Sequence, residues 1–117
     1  HRSLTQFYQS PIAQRMLQSQ QIRREWSFNL RMEGDTLLQG VIDCAFLEDG
    51  AWVLVDYKTD RITDEERANP ALLAKRLGEA HGHQLAAYTK ALRDLLGRAP
   101  DEMRIYSLPL GMSLLIE

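Results

Sequence analysis

The spacing of apolar residues changes period along this chain, and each change marks an element. Ser10-Pro11 is an N-cap followed by proline at the first helical position, and Ile12, Met16 and Leu17 then form one stripe. This predicts a helix ending near Ser19 or Gln20. Glu25-Trp26-Ser27-Phe28-Asn29-Leu30 alternates polar and apolar, the pattern of a half-buried strand. Gly34-Asp35 turns the chain into a second strand over 36–46. Asp49-Gly50, a hairpin signal, leads to a third, Ala51-Trp52-Val53-Leu54-Val55-Asp56-Tyr57-Lys58. Its nearly continuous apolar run predicts a central strand buried on both faces. The three strands read as an antiparallel meander.

After Lys58 the period becomes helical. Thr63-x-x-Glu66 matches a capping box, and Asn69-Pro70 opens a helix over 70–79. Gly82 interrupts the pattern, leaving open whether the next helix is continuous with it. That helix carries Leu85, Tyr88, Leu92, Leu95 and Leu96 on one face, with Gly97 as its C-cap. Residues 103–108 and 112–116 read as two short strands around Pro109-Leu110-Gly111. The order is α-β-β-β-α-α-β-β, an α/β (α+β) class without internal repeat or linker.

A length of 117 residues predicts a single domain, and 44% hydrophobic with 26% charged residues is ordinary for a soluble one. No apolar run of about 18 residues is present and the start has no secretory apolar region, so neither a membrane span nor secretion is expected. The single cysteine, Cys44, excludes a self-contained four-cysteine zinc site or iron–sulfur cluster and reads as a buried core thiol. A net charge of −2 argues against gripping nucleic acid by bulk electrostatics. Arg15, Arg23, Arg24 and Arg31, and Lys75 with Arg76, read as solvated faces rather than a DNA track. No Gly-x-x-x-x-Gly-Lys-Ser/Thr phosphate loop occurs.

The chemistry concentrates at Asp43, Asp56 and Lys58. Side chains alternate along a strand, so Asp56 and Lys58 project to one side, and the hairpin can bring Asp43 back beside them. Carboxylates beside a lysine at a strand end suit a hard divalent cation and a phosphate. An arbitrary Asp-x-Lys is more often a solvated ion pair. Here the charged end sits on a rigid, buried strand. Gln84 and Tyr88 share one helix face and could contact a nucleic-acid backbone or an active-site water; alternatively Tyr88 belongs to the apolar stripe and Gln84 is merely exposed.

Three blocks in this order, Gly40-x-Ile42-Asp43, Val55-Asp56-Tyr57-Lys58-Thr59-Asp60 and Gln84-Leu85-x-x-Tyr88-x-x-Ala91-Leu92, resemble RecB-like nucleases of the PD-(D/E)XK superfamily. The string at 56–61, with Arg24-Glu25-Trp26-Ser27-Phe28 upstream, is most similar to the C-terminal nuclease domain of AddA-type helicase–nuclease subunits. The resemblance implies a restriction-endonuclease-like core, a central mixed sheet of about five strands flanked by helices. It also implies a divalent-metal-dependent DNA exonuclease domain of double-strand-break repair and recombination, using Mg²⁺ or Mn²⁺. Asp43 and Asp56 match metal ligands, joined by the Tyr57 carbonyl. Lys58 matches the residue that orients the attacking water, and Gln84 and Tyr88 match an element that supports DNA and active-site geometry. Glu25 matches an upstream acidic position, with ion-pairing to an arginine as its expected role. His81 and His83 read as loop histidines, with a second metal site as the alternative. Relatives usually carry a further metal-binding histidine upstream, which is not assigned to His1. Without it, residues 1–117 are expected to bind metal weakly and cut slowly or not at all. The implied whole is a bacterial cytoplasmic protein whose helicase domains precede this excised C-terminal domain. Its implied partners are DNA and a second nuclease subunit. The alternative is a non-catalytic DNA- or partner-binding module of the same fold.

Overall fold

The structure, a computed structural model, describes residues 2–31, 34 and 36–117, with side chains from residue 5 onward. His1 and the Asp35 half of the first expected turn lie outside the described residues. The elements are α1 (Arg2–Tyr8), α2 (Pro11–Leu17), β1 (Gln21–Arg31), β2 (Leu37–Glu48), β3 (Ala51–Lys58), α3 (Asp64–Ala68), α4 (Pro70–Ala80), α5 (Gly82–Leu96), β4 (Glu102–Ser107) and β5 (Met112–Leu115). The five strands form one sheet in sequence order, antiparallel at every step except the parallel β3–β4 pair. This is the mixed, helix-flanked sheet expected, and β3 is its buried centre: Trp52, Val53, Leu54, Val55 and Asp56 are all buried.

The helix count differs from the expectation. Among the described side chains of α1, Phe7 is the one buried in the core, so the helix left little pattern to read. The Thr63 capping box forms as expected, with Thr63 Oγ1 accepting from Glu66 N–H and the Glu66 carboxylate accepting from Thr63 N–H. It opens a separate helix, α3, because Asn69 precedes proline and is driven to φ −134, ψ 83, breaking α3 from α4. His81, at φ −109 and ψ 19, likewise separates α4 from α5, so the pattern around Gly82 marks two helices.

Each face of the sheet carries a core. On one, α4 and α5 place Leu73, Leu77, Leu85, Tyr88 and Leu92 over Leu54 and Ile105. On the other, α1 and α2 place Phe7, Ile12 and Met16 over Cys44, Phe46, Val53, Val55 and Tyr106. Cys44 is the expected core thiol: fully buried, donating to Met16 Sδ at 3.3 Å, its pKa pushed by burial up to about 11.

Of the basic residues expected on solvated faces, Arg15 is the exception, being half-buried, while Arg23, Arg24 and Arg76 are exposed. Arg15 binds Glu48 at 2.8 Å and Glu102 at 3.0 Å, tying α2 to β2 and β4. Arg76 pairs with Glu66, while Arg23 and Arg24 lie over the rings of Trp26 and Tyr8. Arg31 and Lys75 are exposed as well.

Candidate active site

The site forms where the sheet forks. The β2–β3 ladder runs from Glu48↔Ala51 to Cys44↔Val55 and stops. Continued by one pair, it would set Asp43 against Asp56. Beyond that point β2 pairs only with β1, and β3 only with β4. In the opening, Tyr57 N–H donates to Asp43 Oδ2 at 2.8 Å, so a side chain replaces the missing ladder bond.

A second irregularity coincides with the fork. In β1 and β2, residues on either side of the Glu25/Asp43 level face opposite cores: Ile22, Cys44 and Phe46 pack with α1 and α2, whereas Trp26, Phe28, Leu30 and Ile42 pack with α4 and α5. Strict alternation would put all of these even-numbered residues on one face. The reversal passes through Glu25, at φ +51, a conformation costly for a non-glycine residue. The ion pair expected for Glu25 is absent among the described residues, and its side chain is exposed.

Asp56 is 1% exposed. Burial first, and then its hydrogen bond with Asp43, push its carboxyl up to about 7 against the pull of Lys58. Lys58 Nζ lies 2.8 Å from Asp56 Oδ2, close enough to pair charges. It is not aligned for a hydrogen bond, so Oδ2 is buried without a donor directed at it. The ammonium instead donates to Gln84 Oε1 on α5. Gln84 is therefore exposed and also part of the site. Tyr88 takes its place in the apolar stripe. Its ring is buried edge-on to Phe28 at 5.9 Å. Burial raises its phenol to about 12, with the charges of Asp56 and Asp43 adding and Gln84 opposing. Tyr57 contributes main chain only: its ring turns to the other core, 5.0 Å from Phe7.

Asp43 and Asp56 are hard oxygen donors, and the undirected Oδ2 of Asp56 fits a divalent cation. Among the described residues no third His, Cys, Asp or Glu side chain joins them in a metal-binding group. His81 and His83 form no second metal site. His83 is exposed, and His81 Nε2 donates to both Asp60 carboxylate oxygens, at 3.0 and 3.2 Å. Sequence reasoning missed this pair. The only signal was that Asp60 and His81 flank Lys58 and Gln84 at similar spacings.

Three relatives align with most of this chain, each named as an ATP-dependent helicase/nuclease subunit. The one from Lysinibacillus sphaericus (strain C3-41) is 39% identical over 105 residues, covering 86% of this chain and 8% of the relative. The one from Anoxybacillus flavithermus is 36% identical over 108 residues, covering 90% and 8%. The one from Acetivibrio thermocellus is 35% identical over 118 residues, covering 88% and 9%. The chain thus spans only 8 to 9% of the length of these relatives. Residues 1–116 match the model of the PD-(D/E)XK nuclease superfamily. Because that match leaves out only the final residue, the chain belongs to the PD-(D/E)XK nuclease superfamily.

Proposed function

We propose that this chain is a divalent-metal-dependent deoxyribonuclease domain, acting as an exonuclease in double-strand-break repair and recombination. The observation that carries the reading is the buried, undirected Asp56 Oδ2 beside Asp43 and Lys58, where a bound cation would complete the site. Asp43 and Asp56 hold the ion with the Tyr57 carbonyl, and oxygen donors without cysteine select Mg²⁺ or Mn²⁺ over zinc. When bound, such an ion lowers the pKa of coordinated water and offsets charge at the scissile phosphate. Lys58, a point charge with rotatable donors, orients the attacking water and meets the phosphate. Gln84 fixes the ammonium.

On this reading residues 1–117 are one nuclease domain at the C-terminal end of a bacterial cytoplasmic helicase–nuclease subunit. The names of the relatives support the assignment. Helicase domains of the same full-length chain deliver DNA, and the partner is a second nuclease subunit. One observation favours the alternative, a nuclease-like module that binds DNA or a partner without cutting: only two side-chain carboxylates gather among the described residues.

The test is incubation of the chain with labelled linear single- and double-stranded DNA and Mg²⁺ or Mn²⁺, beside EDTA. Asp43→Ala, Asp56→Ala and Lys58→Ala are each expected to abolish metal-dependent cleavage while the fold persists. A variant with full activity removes its residue from the mechanism. Wild type that cuts nothing, even when extended at its N-terminus, favours the binding module.

A further inference from the structure

We infer that Asp60 and His81 form a clamp that positions Gln84, and through it the Lys58 ammonium; the inference rests on the nuclease reading. Two side-chain links join the segment leaving β3 to the start of α5. Lys58 donates to Gln84, and His81 donates to Asp60. The link sites are two residues apart on one segment and three on the other. Together they fix the direction of each segment relative to its partner.

His81 is the joint between two helices. Its N–H donates to Leu77 carbonyl at 3.0 Å, closing α4, and its carbonyl accepts from Leu85 N–H at 3.0 Å, opening α5. Anchoring its ring therefore sets the axis on which α5 begins. Apart from Leu85 in the core, the first turn of α5 has little else to hold it. Its N-terminus has no side-chain cap and no acidic residue in its first turn, and Gly82 faces open space. Glycine at this position also adds backbone freedom. Gln84 rides on that first turn.

The consequence reaches Lys58 because its flexible stem has two acceptors to choose between. Held by Gln84, the ammonium stays out of line with Asp56 Oδ2 and directs no hydrogen bond at it. If Gln84 is released, the ammonium can turn fully onto the carboxylate and compete with the metal. The Asp60 carboxylate is suited to its part. Burial pushes its pKa up, but the hydrogen bond and charge of His81 outweigh this and hold it below its ordinary value, with Arg76 contributing. Both clamp side chains are about three-quarters covered, at 25% and 28% exposure. Asp60 and His81 are thus positioning residues, one bond removed from the reacting groups.

The test compares His81→Phe, which keeps a ring but loses the donor, with His81→Gln, whose amide can still donate to Asp60. Hydrogen exchange reads the clamp without activity. His81→Phe is expected to speed exchange of the Leu85 to Tyr88 amides, and His81→Gln to restore their protection. In cleavage assays, His81→Phe is expected to lower kcat by roughly 10- to 100-fold, the scale of a small misplacement of a catalytic group, with KM for DNA unchanged. His81→Gln recovers most of it, and adding His81→Phe to Gln84→Ala causes little further loss. Unchanged exchange, a loss confined to KM, or losses that multiply in the double variant would each overturn the clamp. If wild type cleaves no DNA, the nuclease reading fails, and the exchange result alone decides whether the clamp exists.

Discussion

Asp56 shows how far a single residue can serve function against stability. Its carboxyl is buried, lies against Asp43, and has one oxygen without a directed donor. A buried polar atom left unsatisfied costs about 1–3 kcal/mol. Asp56→Asn removes the charge at nearly constant shape, so metal-free Asp56→Asn should be more stable than wild type by about 1 kcal/mol. Urea unfolding in EDTA measures this. A less stable variant would mean that the Lys58 contact outweighs the desolvation. Lys58→Ala, in turn, should abolish detectable cleavage, since losing one fixed donor at developing charge costs roughly 10²–10³ in kcat. Lys58→Arg should not restore it, since a planar fork cannot take the place of a rotating ammonium. Asp43, Asp56 and Lys58 were legible in the sequence because alternation puts Asp56 and Lys58 on one side of a strand and an Asp-Gly turn returns the neighbouring strand beside it. The division of Lys58 between Asp56 and Gln84 was not. It depends on where α5 begins, and the sequence around Gly82 leaves that open.

Elements bring these residues together through two departures from regularity. One is the reversal of faces at Glu25 and Asp43, invisible in sequence because glutamate carries no signal for a positive φ. The other is a close approach at Gly40, whose added Cβ would meet Phe28 Cζ at 2.6 Å. Phe28 pairs with Gly40 across the ladder and packs edge-on against Tyr88. Gly40→Ala therefore overpacks this contact, at a cost of about 1–3 kcal/mol. It should lower activity beyond the stability loss, because the displaced Phe28 ring pushes on Tyr88. Thermal melts and kcat on the same samples separate the two effects. At the other end of the sheet, Arg15 holds Glu102 down to about 2, its hydrogen bond outweighing burial, and lowers Glu48 as well. The unfolded carboxylates take up protons first, near 4.5. The network's stability is thus complete above that pH and lost as pH falls toward 2. The urea midpoint of wild type should drop through this window more steeply than that of Glu102→Gln. Equal slopes would mean the network contributes nothing. Arg15 had read as a solvated residue because its partners, on β2 and β4, are far away in sequence.

The whole molecule decides whether two carboxylates are enough. Helices on both faces bury the central strand, so the fork is already formed before any ligand arrives. A preformed site is not remade on binding, which favours capture by few ligands. Against this, the net charge is −2 and Lys58 already neutralises part of the acidic pair. On the nuclease reading, DNA would not be drawn in by bulk charge, so a cation would have to bind before phosphate could approach. A ligand that binds only the native state stabilises it by RT ln(1 + [L]/Kd), about 2.7 kcal/mol at 100-fold excess over Kd. Millimolar Mn²⁺ should therefore raise the melting temperature of wild type by several degrees and reverse in EDTA. The shift should vanish in Asp43→Ala and Asp56→Ala, both still folded, and persist in Lys58→Ala, which removes a competing charge. A shift retained without the two aspartates would locate the ion elsewhere. No shift in wild type would leave the fork a binding surface. The Lys58→Ala arm matters most, because a lysine that only braced the fold would not alter metal affinity. One that guards an open carboxylate should tighten metal binding when removed, while cleavage is lost.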